Sequence, residues 1–147
     1  MSLEDWLANR LIEIHRPSVL EIAELLRICA RDLEKSRISE LGPDWQLSIA
    51  YNAALQAAIA ALAASGYRAK KEGHHYRVIQ SLAYTIKAEP ALIKQLDKFR
   101  QKRNISDYER AGMVTEQEVG AMILLAEELR NMVTFWLKKN HPELIQE

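Results

Sequence analysis

The run Trp45-Gln46-Leu47-Ser48-Ile49-Ala50-Tyr51-Asn52-Ala53-Ala54-Leu55-Gln56-Ala57-Ala58-Ile59-Ala60-Ala61-Leu62-Ala63-Ala64 decides the fold. Alanine has the highest helix propensity of any residue, so this stretch is expected to be a helix along its whole length. Its small side chains also let a partner backbone come close. The window is apolar but is interrupted by Asn52 and Gln56, and it falls short of the roughly 20 apolar residues that a membrane span needs. It therefore reads as a core helix with no membrane role. Tyr51, Asn52 and Gln56 are either a buried polar network or part of a groove wall. Leu41-Gly42-Pro43-Asp44 is a turn signal before it, with Asp44 suited to cap the helix. Ser65-Gly66-Tyr67 closes it, with Gly66 as the left-handed cap.

Helical patterns extend on both sides. Leu3, Trp6, Leu7, Arg10, Leu11 and Ile14 step at three and four, predicting a first helix over 2–14. His15-Arg16-Pro17 interrupts it, because a residue before proline avoids the helical region. Val19, Ile22, Leu26, Cys29 and Leu33 resume the pattern as one face of a second helix. Beyond the alanine helix, the basic connector Arg68-Ala69-Lys70-Lys71-Glu72-Gly73 leads to a helix from His74 or His75 to Ile86. Pro90 opens the next, carrying Leu92, Leu96 and Phe99 and ending near Asn104, with a loop over 107–114. Thr115 and Glu118 form a capping box before Val119, Met122, Ala126, Leu129, Val133 and Trp136, and His141-Pro142 ends that last helix. No β-type alternation of useful length is visible. The expected architecture is all-α: one domain over 1–147, an antiparallel up-down bundle of four main helices with short additional ones. The seam from Val119 to Trp136 and the alanine face offer more surface than one small bundle easily hides, which predicts a two-fold homodimer.

Composition narrows the function classes. The chain has 147 residues, 48% of them hydrophobic and 27% charged, as an ordinary globular domain does. Twenty basic and twenty acidic residues cancel, so no global positive field marks nucleic-acid binding, and only a local patch is left. Cys29 is the one cysteine, in an apolar helical stretch, and reads as a core thiol in a reducing compartment. Glu4 and Asp5 stand where a signal peptide would be basic, so the expected location is cytoplasmic. Phosphate-loop, dinucleotide and nucleophile-elbow motifs are absent.

The polar segment Arg100-Gln101-Lys102-Arg103-Asn104-Ile105-Ser106-Asp107-Tyr108-Glu109-Arg110 follows an apolar helix directly. Arg100 and Arg103 are three apart and share a helix face. Two guanidinium groups facing one way suit phosphate oxygens, because each is a permanently charged planar fork of donors. Asn104 adds a donor and acceptor for a base edge or a 2′-hydroxyl, and Tyr108 an aromatic face with a hydroxyl. Residue types alone favour a plainer account: Arg100 and Lys102 are solvated charges paired with Asp97 or Glu109, and Asn104 is a C-terminal cap. His74 and His75 point about 100° apart on a helix and cannot share one metal, so helix-start packing and capping outweigh ligation and no metal or cofactor is expected. One of them would become relevant if it approached Arg103 from a neighbouring helix as a displaced base. His15 and His141 sit at helix ends, where a surface role is expected, and Met122, Met132 and Trp136 read as core or dimer surface.

Resemblance adds to this reading. The run Arg103-Asn104-x-x-x-Tyr108 after an amphipathic helix and before a long final one resembles the signature of the HEPN superfamily. So does the order of pieces upstream: the helix starting at Trp45, its end at Ala64-Ser65-Gly66-Tyr67, then His74-His75-Tyr76-Arg77-Val78-Ile79. The likeness is to bacterial members and covers about 17–137. It implies a helical bundle, two protomers whose Arg-Asn segments line a shared cleft, and a nucleotide or RNA phosphate held by Arg100, Arg103, Asn104 and Tyr108. A nucleotidyltransferase or antitoxin protein is the implied partner. Ribonuclease members carry an arginine, four to six residues and a histidine, and Tyr108 stands at the histidine's place. Histidine titrates near neutrality as a metal-free ribonuclease requires, whereas tyrosine titrates near pH 10. The resemblance thus implies a binding module, with two alternatives. One is a metal-independent endoribonuclease toxin using Arg103 and Tyr108. The other is a non-catalytic interaction scaffold.

Overall fold

The computed structural model describes residues 1–108 and 113–145, with only the backbone described for 104–108. It is an antiparallel bundle of helices, in order α1 (Leu3–Ala8), α2 (Val19–Lys35), α3 (Pro43–Ala64), α4 (His74–Ser81), α5 (Pro90–Tyr108) and α6 (Glu116–Asn140). Two strands, β1 (Ile12–Ile14) and β2 (Tyr67–Ala69), pair antiparallel, with Ile12 opposite Ala69 and Ile14 opposite Tyr67.

Helix α3 is the axis. It packs most extensively against α2 and α6 and also touches α4, α5 and β2. Ala50, Ala53, Ala57, Ala60 and Ala61 are wholly buried. Side chains this small let helices approach α3 from several directions, which is why its burial runs around the helix instead of along one stripe. By length and composition α3 is apolar enough to cross a membrane, contrary to the sequence reading, because the helix begins at Pro43. Most of its apolar window is buried inside the bundle, as a core helix requires. The α6 positions Val119, Met122, Ala126, Leu129 and Val133 face this same core, as do Ile22, Cys29 and Leu33 of α2. The seam and the alanine face expected to pair two copies are thus consumed within one chain. What α6 leaves outside is Leu124 and Phe135, each 69% exposed.

Local chemistry sets the helix ends. Ser18 accepts from Glu21 N–H at 3.1 Å to start α2 after Pro17. The expected capping box is present at α6: Glu118 N–H donates to Thr115 Oγ1 at 3.1 Å, and Thr115 N–H to Glu118 Oε1 at 3.0 Å. At α3 the cap is Gly42, with φ +86°, and Pro43 takes the first helical position, so Asp44 lies inside the first turn and is not the cap. Gly66, with φ +98°, turns the chain out of α3 as expected.

Three elements differ from the reading of the sequence. The first helix stops at Ala8, and Arg10, with φ +61°, swings the chain into β1. Leu11 and Ile14 mimicked helical spacing, but Ile12 is the residue that is buried, and three residues are too few to show alternation. The connector after α3 supplies the partner strand, extended by His15 N–H donating to Gly66 carbonyl at 2.9 Å. Helix α4 ends at Ser81, and turn-like bonds carry the chain on to Thr85. Helix α5 runs past Asn104 to Tyr108, so the expected loop loses Asp107 and Tyr108 to the helix, and 109–112 lie outside the described residues.

Candidate functional site

Helices α3, α4 and α5 converge on a cluster of two arginines, two tyrosines and a histidine. Tyr51, on α3, is 1% exposed, and the Arg103 guanidinium of α5 lies 5.5 Å from its ring centroid. One turn earlier on α5, the Arg100 guanidinium lies 5.5 Å from the ring of Tyr76, on α4. Such placements suit a cation over an electron-rich ring and hold the planar group in one orientation. Arg100 Nε also donates to Asp97 Oδ1 at 2.7 Å, and Gln101 Nε2 to Asp97 Oδ2 at 3.0 Å. This carboxylate fixes the Arg100 fork and keeps the group firmly charged, pushing its pKa further up. His75 completes the cluster, with its Nδ1 3.5 Å from the Tyr51 hydroxyl.

The electrostatics of the cluster divide the work. Burial pushes the Tyr51 phenol well above its ordinary range, although Arg103 and Arg100 pull the other way. It is a neutral hydroxyl and ring at any physiological pH. Burial lowers His75, and the positive charges of Arg103, His74 and Arg100 lower it further, so the imidazole is neutral at pH 7. Two fixed cations therefore stand beside a neutral imidazole and a neutral phenol. Such a set has the chemistry to suit a phosphate, with a hydrogen-bonding nitrogen next to it.

Arg100 and Arg103 are brought together as their spacing implied, each on its own aromatic ring. The side chains of Asn104 and Tyr108 lie outside the described residues. Their backbone continues α5, so Asn104 is not the helix's C-terminal cap. The plainer reading is right that Arg100 pairs with Asp97, while Lys102 pairs with Glu118 at 3.4 Å; Glu109 lies outside the described residues. Among the described residues no metal-binding cluster of three or more histidine, cysteine or acidic side chains occurs. His74, at the start of α4, stacks edge-on against His75, and burial lowers it too. His15 pairs with Glu21 at 2.7 Å and His141 with Glu143 at 3.5 Å, ordinary roles at helix ends.

Tyr76 and Asp97 were missed as site residues. Asp97, three before Arg100, was visible only as a charge neighbour, and Tyr76 carried no signal beyond its place after two histidines. The polar residues interrupting α3 divide between both readings. Tyr51 is a wall of the cluster. Asn52 faces α2, donating Nδ2 to Asp32 Oδ2 at 2.7 Å and accepting from Gln56 Nε2 at 3.3 Å. Asp32 is 7% exposed and also accepts from Arg31 Nε at 2.9 Å.

Beside the cluster, α4, α5 and the turn between them enclose an open groove of about 540 Å³. Tyr76, Gln80, Asp97 and Gln101 line it, with the apolar Ala83, Ala88, Pro90 and Ile93 and the cations Lys94 and Lys98.

A sequence model of the HEPN domain matches residues 19–139, which spans α2 to α6 and every residue of the cluster. No curated protein sequence matches the chain.

Proposed function

Because the chain belongs to the HEPN domain family, whose domains are generally tied to nucleotides and RNA, we propose that it binds the phosphate of a nucleotide or RNA through Arg100 and Arg103. The observation that carries this reading is the pair of guanidiniums held one turn apart on α5, each over an aromatic ring, with Asp97 orienting one of them. In this reading Asn104 and Tyr108, next along α5, contact the same ligand. The module works as a homodimer, for which Leu124 and Phe135 on α6 supply exposed apolar surface, and a nucleotidyltransferase or antitoxin protein is its functional partner.

The test is binding of a mononucleotide and a short RNA at low salt, in wild type and Arg103→Ala. Losing a charge-assisted hydrogen bond costs about 1.5–3 kcal/mol, so Kd should rise by roughly 10- to 150-fold with an unchanged helical melt. Arg103→Ala that unfolds the chain, or a wild type that binds neither ligand, would return the arginines to a structural role and favour the scaffold alternative.

A second reading has its own observation. His75 is an imidazole beside Arg103 whose unprotonated, proton-accepting form is favoured by burial and by that charge, and it arrives from a neighbouring helix. In an endoribonuclease it would take the 2′-hydroxyl proton that Tyr108 is too weak a base to accept. RNA incubated with the protein in a chelator decides this. Cleavage lost in His75→Ala supports it, cleavage lost only in Tyr108→Phe assigns the chemistry to Tyr108, and no cleavage leaves binding alone.

A further inference from the structure

We propose that the groove between α4 and α5 is a track for single-stranded RNA, in which a base packs against Tyr76 and the following phosphates meet Lys94 and Lys98. This rests on the phosphate-binding reading of Arg100 and Arg103 and extends it from one nucleotide to a chain. Three observations carry it. The groove is continuous with the cluster, because Tyr76 and Asp97 belong to both. Its lining combines the kinds of surface that a nucleotide strand presents. Ala83, Ala88, Pro90 and Ile93 supply apolar surface for base faces, and the Gln80 and Gln101 amides offer donors and acceptors to base edges. Lys94 and Lys98, one turn apart on α5, set two positive charges along the groove.

Tyr76 is the key residue. It is 41% exposed although it sits beside Arg77 and Arg100, whose guanidiniums lie 5.8 and 5.5 Å from its ring centroid. An exposed aromatic ring next to fixed cations is what unpaired bases stack on, because every base has a π-face and its own phosphate nearby. A duplex keeps its bases stacked on one another and cannot use the ring, so the preferred ligand is unpaired RNA. The one acid among the described residues lining the groove, Asp97, is already engaged by Arg100 and Gln101 and does not oppose the strand's charge.

The experiment compares a mononucleotide with a single-stranded RNA hexamer and the matching duplex, by fluorescence titration over a range of salt. Wild type should bind the hexamer much more tightly than the mononucleotide and more tightly than the duplex. Lys94→Gln with Lys98→Gln should leave mononucleotide affinity unchanged and reduce the salt slope for the hexamer by about 1.4, the value for two contacts to a single strand. Tyr76→Ala should shrink the hexamer-to-mononucleotide affinity ratio by roughly 5- to 150-fold, the range for one stacked base, while Tyr76→Phe keeps it. The ratio is the readout because Tyr76 also touches Arg100. A mononucleotide bound as tightly as the hexamer, or a ratio and slope indifferent to these variants, overturns the track and leaves the arginine site standing. If neither ligand binds, both readings fall together.

Discussion

Replacing Asn52 by alanine isolates the polar contact that joins α2 to α3, and its cost follows from the geometry. Asn52 Nδ2 donates at 2.7 Å to one oxygen of a carboxylate that is almost buried, and the other oxygen keeps its Arg31 donor in the variant. A hydrogen bond to a charged group contributes about 1.5–3 kcal/mol. Asn52 is itself half-buried, so water reaches the vacated position and the loss falls toward the lower part of that range, about 2 kcal/mol. The 3.3 Å contact from Gln56 is long, and its half-buried amide turns to solvent at little cost. Alanine returns roughly 0.5 kcal/mol through its better helix propensity. The net destabilisation is therefore about 1.5 kcal/mol, a fall in Tm of roughly 3–6 °C for a chain this long. Urea denaturation followed by circular dichroism at 222 nm measures it directly. Asn52→Asp should cost more than Asn52→Ala, because it sets a second carboxylate against Asp32 in a poorly solvated place. Nucleotide affinity should not change in Asn52→Ala, since the side chain faces α2 while its neighbour Tyr51 faces Arg103. Asn52→Ala at wild-type stability, with Asn52→Asp no worse, would refute the claim that this network holds the two helices together.

Two further outcomes are expected. The fold holds His74 and His75 below the ordinary histidine value of 6.5, chiefly by burial, so the folded state favours their neutral forms. Their contribution is full above pH 6.5 and is lost as pH falls from there through the folded values, because the unfolded chain takes up protons first. Urea midpoints at pH 7.5 and 5.5 should diverge in wild type and converge in His74→Gln/His75→Gln, and equal divergence in both would count against the burial of these rings. The buried Cys29 thiol is pushed up to about 11, mainly by burial and also by Asp32 against the pull of Arg130. A thiol reagent at pH 8 should modify it only at the rate of unfolding, and modification within seconds in native buffer would contradict its place in the core.

The bundle was readable because its signals are local and repeated. Alanines over 50–64, the capping box at Thr115 and Glu118, and Pro17, Pro43 and Pro90 each act within a turn of themselves. Where the reading missed, the deciding partner is remote. Ile12–Ile14 is a strand only because Tyr67–Ala69 lies beside it, and nothing near Ile12 announces that pairing. Burial had the same limit. The alanine face and the α6 seam were correctly identified as apolar, but the sequence does not say that each is the other's cover. In the cluster, Arg100 and Arg103 were legible from their spacing on one helix. Tyr51 and His75 belong to α3 and α4, and only the packing of those helices brings them to Arg103. The ring of Tyr76 is exposed, and exposure is a property of the assembled surface that no spacing of residues records.

The short N-terminal arm lies outside the matched 19–139 region, yet it is fastened to the helix that carries two of the cluster's five residues. Trp6 of α1 meets Tyr84 edge-on at 5.1 Å and sits 5.3 Å from the Arg77 guanidinium, while β1 clips the connector that enters α4. The arm is thus a clasp on the region that the family model matches. It holds the middle of a helix of only eight residues, a length that has little persistence by itself, and the segments leading into and out of it. In the phosphate-binding reading proposed above, immobilising α4 during folding spares that ordering entropy at the moment of binding. On this geometry, truncating the arm is expected to loosen how His75 and Tyr76 are aimed without touching either residue or the arginines.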